Sequence, residues 1–320
     1  MDTVKLNFML DKHQFKPHFG AMNKLPIATR VQILSMLVEG SSLRSISRIT
    51  GVSINTVSKL LVDAGKVCSD FHDKNVIGVQ SKRIQCDEIW SFCYAKAKNV
   101  KHASAAPDQA GDVWTWTAID ADTKLIASWL VGSRDMQAAI MFLQDLRSRV
   151  VGTPQFTADG HKVYPHAMSR AFGDEIDFAQ LIKVFGPTPK GNESRYSPPA
   201  CVGIKTRTVS GNPDADYINT SFAERQNLTM RMSMRRFTRL TNAFSKKFEN
   251  HCHALALYFY HYNFQRLHKT LRVTPALAAG ISKELLSWET IIELVDQTEQ
   301  KALVEKRWDK IKTPQLEGQV

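Results

Sequence analysis

The stretch Ser221–Lys247, SFAERQNLTMRMSMRRFTRLTNAFSKK, sets a single acid, Glu224, ahead of seven basic residues: Arg225, Arg231, Arg235, Arg236, Arg239, Lys246 and Lys247. Leu228, Met230, Met232, Met234, Phe237 and Leu240 are interleaved with them, a mixture that predicts a helix with one packed side. Helical spacing places Glu224, Asn227 or Leu228, and Arg231 on one face. A carboxylate at the head of a basic helix can hold a metal ion while the helix lies along a phosphate backbone. The same run also suits an ordinary solvated face, so the rest of the chain has to decide.

Composition points the same way. A chain of 320 residues suggests about two domains. Its net charge of +11 and pI near 9.4 favour a polyanionic partner, nucleic acid before a membrane surface. The charge is concentrated: Glu224–Arg272 carries ten Lys and Arg against two acids. The five cysteines, Cys68, Cys86, Cys93, Cys201 and Cys252, form no CxxC pair, which speaks against a disulfide framework and a zinc finger and fits a reducing cytoplasm. Asp120, Asp122 and Lys124 interrupt the best membrane-span candidate, Val113–Val131. No secretory pattern opens the chain. Residues 1–21 read as an irregular extension, and translation is expected to start at Met22.

Residues 22–65 predict an all-α helix-turn-helix domain. Val31, Leu34 and Val38 face inward from a first helix; Leu43, Ile46 and Ile49 mark a second. Gly51 turns the chain, and Ser53 caps a third helix with Ile54, Val57, Leu60 and Leu61 inward. Asn55, Thr56 and Lys59 are left outward, side chains able to reach base edges and phosphates. Residues 66–82 read as a linker, either helix or loop.

The texture then changes. RIQCDEIWSFCYAKAK is a strand with acids in its middle, and alternation puts Asp87 and Glu88 on opposite faces. An acid inside an apolar strand is costly unless it is paired or binds a metal. DVWTWTAID and KLIASWLVG form a hairpin with Asp120 and Asp122 as turn residues. A helix follows over 134–150, and the strand QFTADG ends in Asp159. Either a metal ligand at a strand's C-terminal end or a turn-forming Asp-Gly explains that acid. A helix (163–173), a strand (177–186) and a Pro/Gly/Ser/Asn-rich insertion (187–220) lead into the basic helix. The insertion is expected to stand off the core sheet. His251, His253 and His261 in the next helix read as packed residues. A basic arm and amphipathic tail complete the chain over 266–320.

Strand with Asp, hairpin, helix, strand ending in Asp, helix, strand, helix with Glu is the element order of a ribonuclease-H-like α/β core, here spanning 83–265. With the N-terminal domain added, the chain resembles the DDE transposases of bacterial insertion sequences, most closely the insertion sequence one family. The matching stretches are CDEIWSF (86–92), DVWTWTAID (112–120), TADGHKVY (157–164), ERQNLTMRMSMRRFTRLTNAFSKK (224–247) and YNFQRLHKTLRVTPALAAG (262–280). The resemblance covers residues 22–280. It implies Asp87, Asp159 and Glu224 as a triad for two Mg²⁺ or Mn²⁺ ions. It also implies Arg231 as a catalytic phosphate partner and element-end and target DNA as partners, bound by a homo-oligomer near the bacterial nucleoid. Arg235, Arg236, Arg239, Lys246 and Lys247 join Asn55, Thr56 and Lys59 as expected DNA contacts. Two departures stand out. The prototype's cysteine-rich zinc-binding N-terminus is missing, so zinc is not carried over, and Glu224 follows Asp159 by 65 positions, a longer interval than the prototype's. The alternatives are a nuclease or resolvase on the same core, or a DNA-binding regulator with an inactive one.

If about six phosphates are contacted, log K for duplex DNA should fall against log salt with a slope of roughly −5. Fluorescence anisotropy across a salt series measures it, and a nearly flat line would remove the basic segment as a DNA surface.

Overall fold

The computed structural model describes residues 24–187, 199–238 and 242–312, with side chains through Glu305. The expected N-terminal extension, part of the insertion, Arg239 and the last residues of the tail lie outside the described residues.

Three helices open the chain: α1 (Ile27–Val38), α2 (Leu43–Thr50) and α3 (Ile54–Asn75). Ser42 and Ser53 cap α2 and α3 by accepting from the backbone amides of Ser45 and Asn55. Gly51 between them takes a left-handed φ of 71°, which glycine adopts without steric cost. Ile33, Leu34, Ile46, Val57, Leu60 and Leu61 bury together. Ile49 and Ile54, expected inward, flank the Gly51 turn and lie exposed; next to a tight turn the two helices diverge before their inner faces can meet.

Helix α3 does not stop at residue 65. Its buried positions, Val57, Leu60/Leu61, Ala64, Val67/Cys68 and His72, continue one helical stripe. The expected linker is therefore largely helix, packed along α8 (Phe248–Tyr260). Gly65 permits the closeness of that crossing, since a Cβ there would lie 2.4 Å from the Cβ of His253 and 2.7 Å from its Cα. The tail returns to the same bundle. After a short α9 (Pro275–Ala278), α10 (Trp288–Lys312) buries Trp288, Ile291, Ile292 and Val295 against the N-terminal helices. Arg30 clasps Asp296 through Nη1 and Nη2 at 2.8 and 3.0 Å.

The main sheet has six strands in the order β4–β3–β2–β6–β7–β8. They are β2 (Arg83–Cys93), β3 (Gly111–Asp120), β4 (Ile126–Gly132), β6 (Gln155–Asp159), β7 (Phe178–Phe185) and β8 (Cys201–Ser210). Strands β2, β6 and β7 are parallel, while β3, β4 and β8 run antiparallel to their neighbours. Two short strands, β1 (Val79–Gln80) and β5 (Val150–Val151), pair separately, and α4 (Ala97–Val100) is one turn after β2. On one sheet face α5 (Met136–Arg149) and α6 (Tyr164–Phe172) pack around Trp116, Phe142 and Tyr164. On the other lie α7 (Ser221–Ser233) and α8, which runs on as a π-helical turn over His261–Gln265. This mixed sheet is compatible with a ribonuclease-H-like core.

Two further expectations change. The insertion's strand β8 does not stand off the sheet, because its backbone pairs with β7 from Phe178 to Phe185 and makes it the edge strand. The stretch 221–247 is not one helix. It leaves helical geometry at Met234 (φ −125°, ψ 102°) and makes a single 3₁₀ turn over Arg235–Phe237. Met234 and Phe237 are buried in doing so, and the chain is then drawn to the end of β2, where Tyr94 N donates to Ser245 O at 2.8 Å.

Gly65→Ala is expected to cost about 2 kcal/mol of unfolding free energy, because backbone atoms would have to move apart to admit a methyl group. Urea titration reads the loss; an unchanged midpoint would contradict the close α3–α8 crossing.

Candidate active site

The pairing of β2 with β6 ends at Cys86–Ala158. One residue further on lie Asp87 and Asp159, both at the C-terminal ends of parallel segments, where open α/β sheets place their ligands. Directly beyond that last pair β2 has no paired strand on this side, until Cys93 bridges to Ser245. Glu88, on the opposite face of the strand from Asp87, can therefore bring its carboxylate round to the same place. Oxygens of Asp87, Glu88 and Asp159 lie within 4.8 Å of one another. Alternation along β2 assigned Asp87 and Glu88 to different faces, and that is how the backbone runs. The convergence depends on where the neighbouring strand stops, which strand periodicity does not encode.

Glu224 reaches the site from the first turn of α7. Thr220 offers that helix no side-chain cap. Gln85 of β2 caps it instead, its Oε1 accepting from the amides of Phe222 and Ala223 at 2.8 and 3.2 Å. One helical turn along, Asn227 donates Nδ2 to Asp87 Oδ2 at 2.8 Å. The i, i+3 relation read from the sequence thus sets Glu224 and Asn227 on the face turned to β2. Asp87, Asp159 and Glu224 line one cavity of about 590 Å³ together with Arg134, His161 and Lys183. Arg231, two turns beyond Glu224, is half-buried and lies outside that lining.

Polar contacts fix each acid. The Glu88 amide donates to Asp87 Oδ1 at 2.8 Å, and the His161 amide to Asp159 Oδ1 at 2.9 Å. Gln180 Nε2 holds the carbonyls of Asp159 and His161. Gly160 allows this turn to sit against β7, since a Cβ there would lie 3.0 Å from Ile182 Cγ1. Glu224 accepts from Thr220 Oγ1 and pairs with Lys183 Nζ, each at 2.5 Å. Arg134 sets Nε and Nη2 each 3.1 Å from Glu88 Oε2, and Nη2 lies 3.5 Å from Asp159 Oδ2. Neither Arg134 nor Lys183 was singled out in the sequence; both become functional candidates only through folding.

Burial and the neighbouring acids raise the proton affinity of Asp87 and Glu88. Burial first, and the Asp159 charge second, push Asp87 up to about 7; the amide of Glu88 and the charge of Lys183 work against the rise. Glu88 is likewise pushed up to about 7 by burial and by Asp159, with Arg134 opposing. Burial, with the nearby Arg134 charge, lowers the pKa of His161, so its imidazole favours the neutral form. Glu88 Oε1 is buried with no hydrogen-bond partner, and the hydroxyl of Tyr164 faces the carboxyl without closing a bond of standard geometry. Hard oxygen donors at this spacing, one of them an orphaned carboxylate oxygen, fit a divalent cation.

The expected DNA contacts are dispersed. Asn55, Thr56 and Lys59 are exposed at the start of α3, with Lys59 paired to Asp63 and Glu299 at 2.5 and 2.9 Å. Arg235, Lys246 and Lys247 are exposed, but the break after Ser233 removes them from the helix that carries Glu224. Arg236 is half-buried and faces inward, donating to Ser245 Oγ at 2.7 Å; burial pulls its pKa down to about 10. Arg239 lies outside the described residues. His251 is a buried residue bonded to Ser91 Oγ at 3.2 Å, as its packed position suggested. Among the described residues no helix is long and apolar enough to cross a membrane.

No family model matches the chain, and no curated protein matches it. Among solved structures it is similar to the piggyBac transposase in a cryo-EM synaptic complex with hairpin DNA. The two are 10% identical with a TM-score of 0.34, over 91% of this chain and 73% of that one, a likeness too loose to carry an argument.

An unfolded chain ionises Asp and Glu near pH 4, whereas folded Asp87 and Glu88 keep their protons to about 7. Stability is therefore withdrawn as pH rises between those values. In EDTA, Asp87→Asn should melt above the wild type at pH 8, with the advantage fading to nothing towards pH 4. A difference independent of pH would place the cost in another group.

Proposed function

We propose that the chain is a DDE-type transposase. It would bind element ends through its N-terminal helices, then cut and join DNA in a metal-dependent core, acting as a homo-oligomer on DNA. The observation that supports this reading most is the convergence of Asp87, Asp159 and Glu224 from three separate elements on one cavity. These acids, with Glu88 beside them, are the residues that would hold Mg²⁺ or Mn²⁺. Two such ions supply Lewis acidity and charge neutralisation for in-line displacement at phosphorus.

The chain's own residues prepare that site. Asn227 and the Glu88 amide orient the two oxygens of Asp87. Gln85 fixes the start of α7 and so the reach of Glu224. Gln180 locks the turn that carries Asp159. In cleavage, water would attack the phosphorus and displace the DNA 3′-oxygen, which takes up a proton as the 3′-hydroxyl; in joining, that 3′-hydroxyl would attack a target phosphodiester, losing its proton and displacing the target 3′-oxygen, with no covalent enzyme intermediate. Arg231 is assigned to a phosphate near the end of α7. Asn55, Thr56 and Lys59 are assigned to the element end, and Arg235, Lys246 and Lys247 to backbone phosphates. The exposure of all six of these latter side chains suits that use.

Alanine at Asp87, Asp159 or Glu224 should abolish Mg²⁺-dependent joining of an end-bearing oligonucleotide to plasmid while leaving DNA binding within about twofold. Retained joining in all three variants would refute the assignment, and cleavage without joining in the wild type would reduce the protein to a nuclease.

A further inference from the structure

Arg134 connects three features that the triad alone does not explain. Its guanidinium lies 4.6 Å from the ring centroid of Trp114, close enough for a cation–π contact. Its Nε and Nη2 share Glu88 Oε2, and Nη2 also approaches Asp159 Oδ2. The side chain lines the cavity and is one-third exposed, whereas that of Glu88 is fully buried.

The backbone around it is anchored on both sides. Ser133 O accepts from Trp116 Nε1 at 3.0 Å. Asp135 caps α5 through Ala138 N at 2.9 Å and accepts from Ser133 Oγ at 2.5 Å. Between these anchors the side chain of Arg134 extends to Glu88, Asp159 and Trp114. A buried carboxylate such as Glu88 needs a nearby cation, and a guanidinium meets that need. A divalent ion bound by Glu88 and Asp159 would compete for the same oxygens, because two cations cannot both approach them without strong mutual repulsion. The displaced guanidinium, released from the acids into the cavity, has the planar fork that matches a phosphate.

We propose that Arg134 is a resident counter-cation that cedes Glu88 and Asp159 to a divalent ion and then takes a phosphate oxygen of the DNA. This rests on the metal-dependent reading above. It differs from the role given to Arg231, which lies outside the cavity lining.

The test is Mn²⁺ titration of the full chain at pH 8.5, followed by electron paramagnetic resonance, alongside Mn²⁺-dependent nicking of plasmid DNA. Arg134→Gln should bind Mn²⁺ about tenfold more tightly, yet nick at least about tenfold more slowly at saturating Mn²⁺. Damage to the fold would weaken both, so the opposed signs mark the exchange. Arg134→Lys keeps a charge without the fork, so it should restore near-wild-type Mn²⁺ affinity but not nicking. Trp114→Leu removes the platform and should shift both readouts in the same directions as Arg134→Gln, so the idea stays testable if that variant does not fold. Unchanged or weaker Mn²⁺ binding in folded Arg134→Gln, or in Trp114→Leu in its place, overturns the proposal. Asp159→Asn separates the two levels. If it abolishes Mn²⁺ binding while Arg134→Gln leaves affinity unchanged, only the role of Arg134 falls. If it binds Mn²⁺ like the wild type, the metal centre itself is misplaced and both readings fall.

Discussion

Carboxylates crowded at the ends of two parallel strands are the constraint to which the surrounding structure answers. Asp87, Glu88 and Asp159 bring oxygens within 4.8 Å of one another, and Glu224 adds a fourth negative group on the same cavity. Burial first, and the charge of Asp159 second, hold the protons of Asp87 and Glu88 to about 7. The arrangement persists because it is over-determined: Lys183 neutralises Glu224, Arg134 neutralises Glu88 and Asp159, and Asn227 donates to Asp87. On the proposed reading, bound cations would offset the cost of keeping these acids together.

The same constraint ties the site to the fold. Parallel pairing stops at Cys86–Ala158, so the acids emerge where β2 and β6 part. Helix α7 is set against that opening by Gln85, which caps from within the strand a helix that its own preceding residue leaves uncapped. A change at Gln85 would therefore act on Glu224 through the helix, with no contact to the acid itself.

The N-terminal helices are not loosely attached. Helix α3 runs from the exposed Asn55 and Thr56 to the close crossing of Gly65 with His253, and α10 returns to grip the bundle through Asp296 and Glu299. A load applied to the exposed start of α3 would be carried by one continuous helix to the packing beneath the sheet. The Lys59–Glu299 pair means that Lys59 would have to leave a carboxylate before it could meet a phosphate.

Much of this was legible in the residues themselves. Apolar periodicity marked α1, α5 and the strands, Ser53 and Gly51 marked the turn between α2 and α3, and Asp159-Gly160 marked the end of β6. Acids in an apolar strand marked Asp87 and Glu88 alike, the family resemblance chose Asp87, and helical spacing put Asn227 or Leu228 beside Glu224. These signals are local: a side-chain period, a cap or a turn depends on neighbours in sequence. Four features depended on the tertiary structure. Glu88 joins the acids because β6 ends where it does. Arg134 and Lys183 become site residues because distant strands and loops bring them there. The basic stretch breaks at Met234 and turns Arg236 inward because its continuation is drawn to β2. Helix α3 overruns its expected end because its apolar stripe finds α8 to pack on. Each turns on partners far away in the chain, and the pattern of one segment carries no record of which surface it will meet.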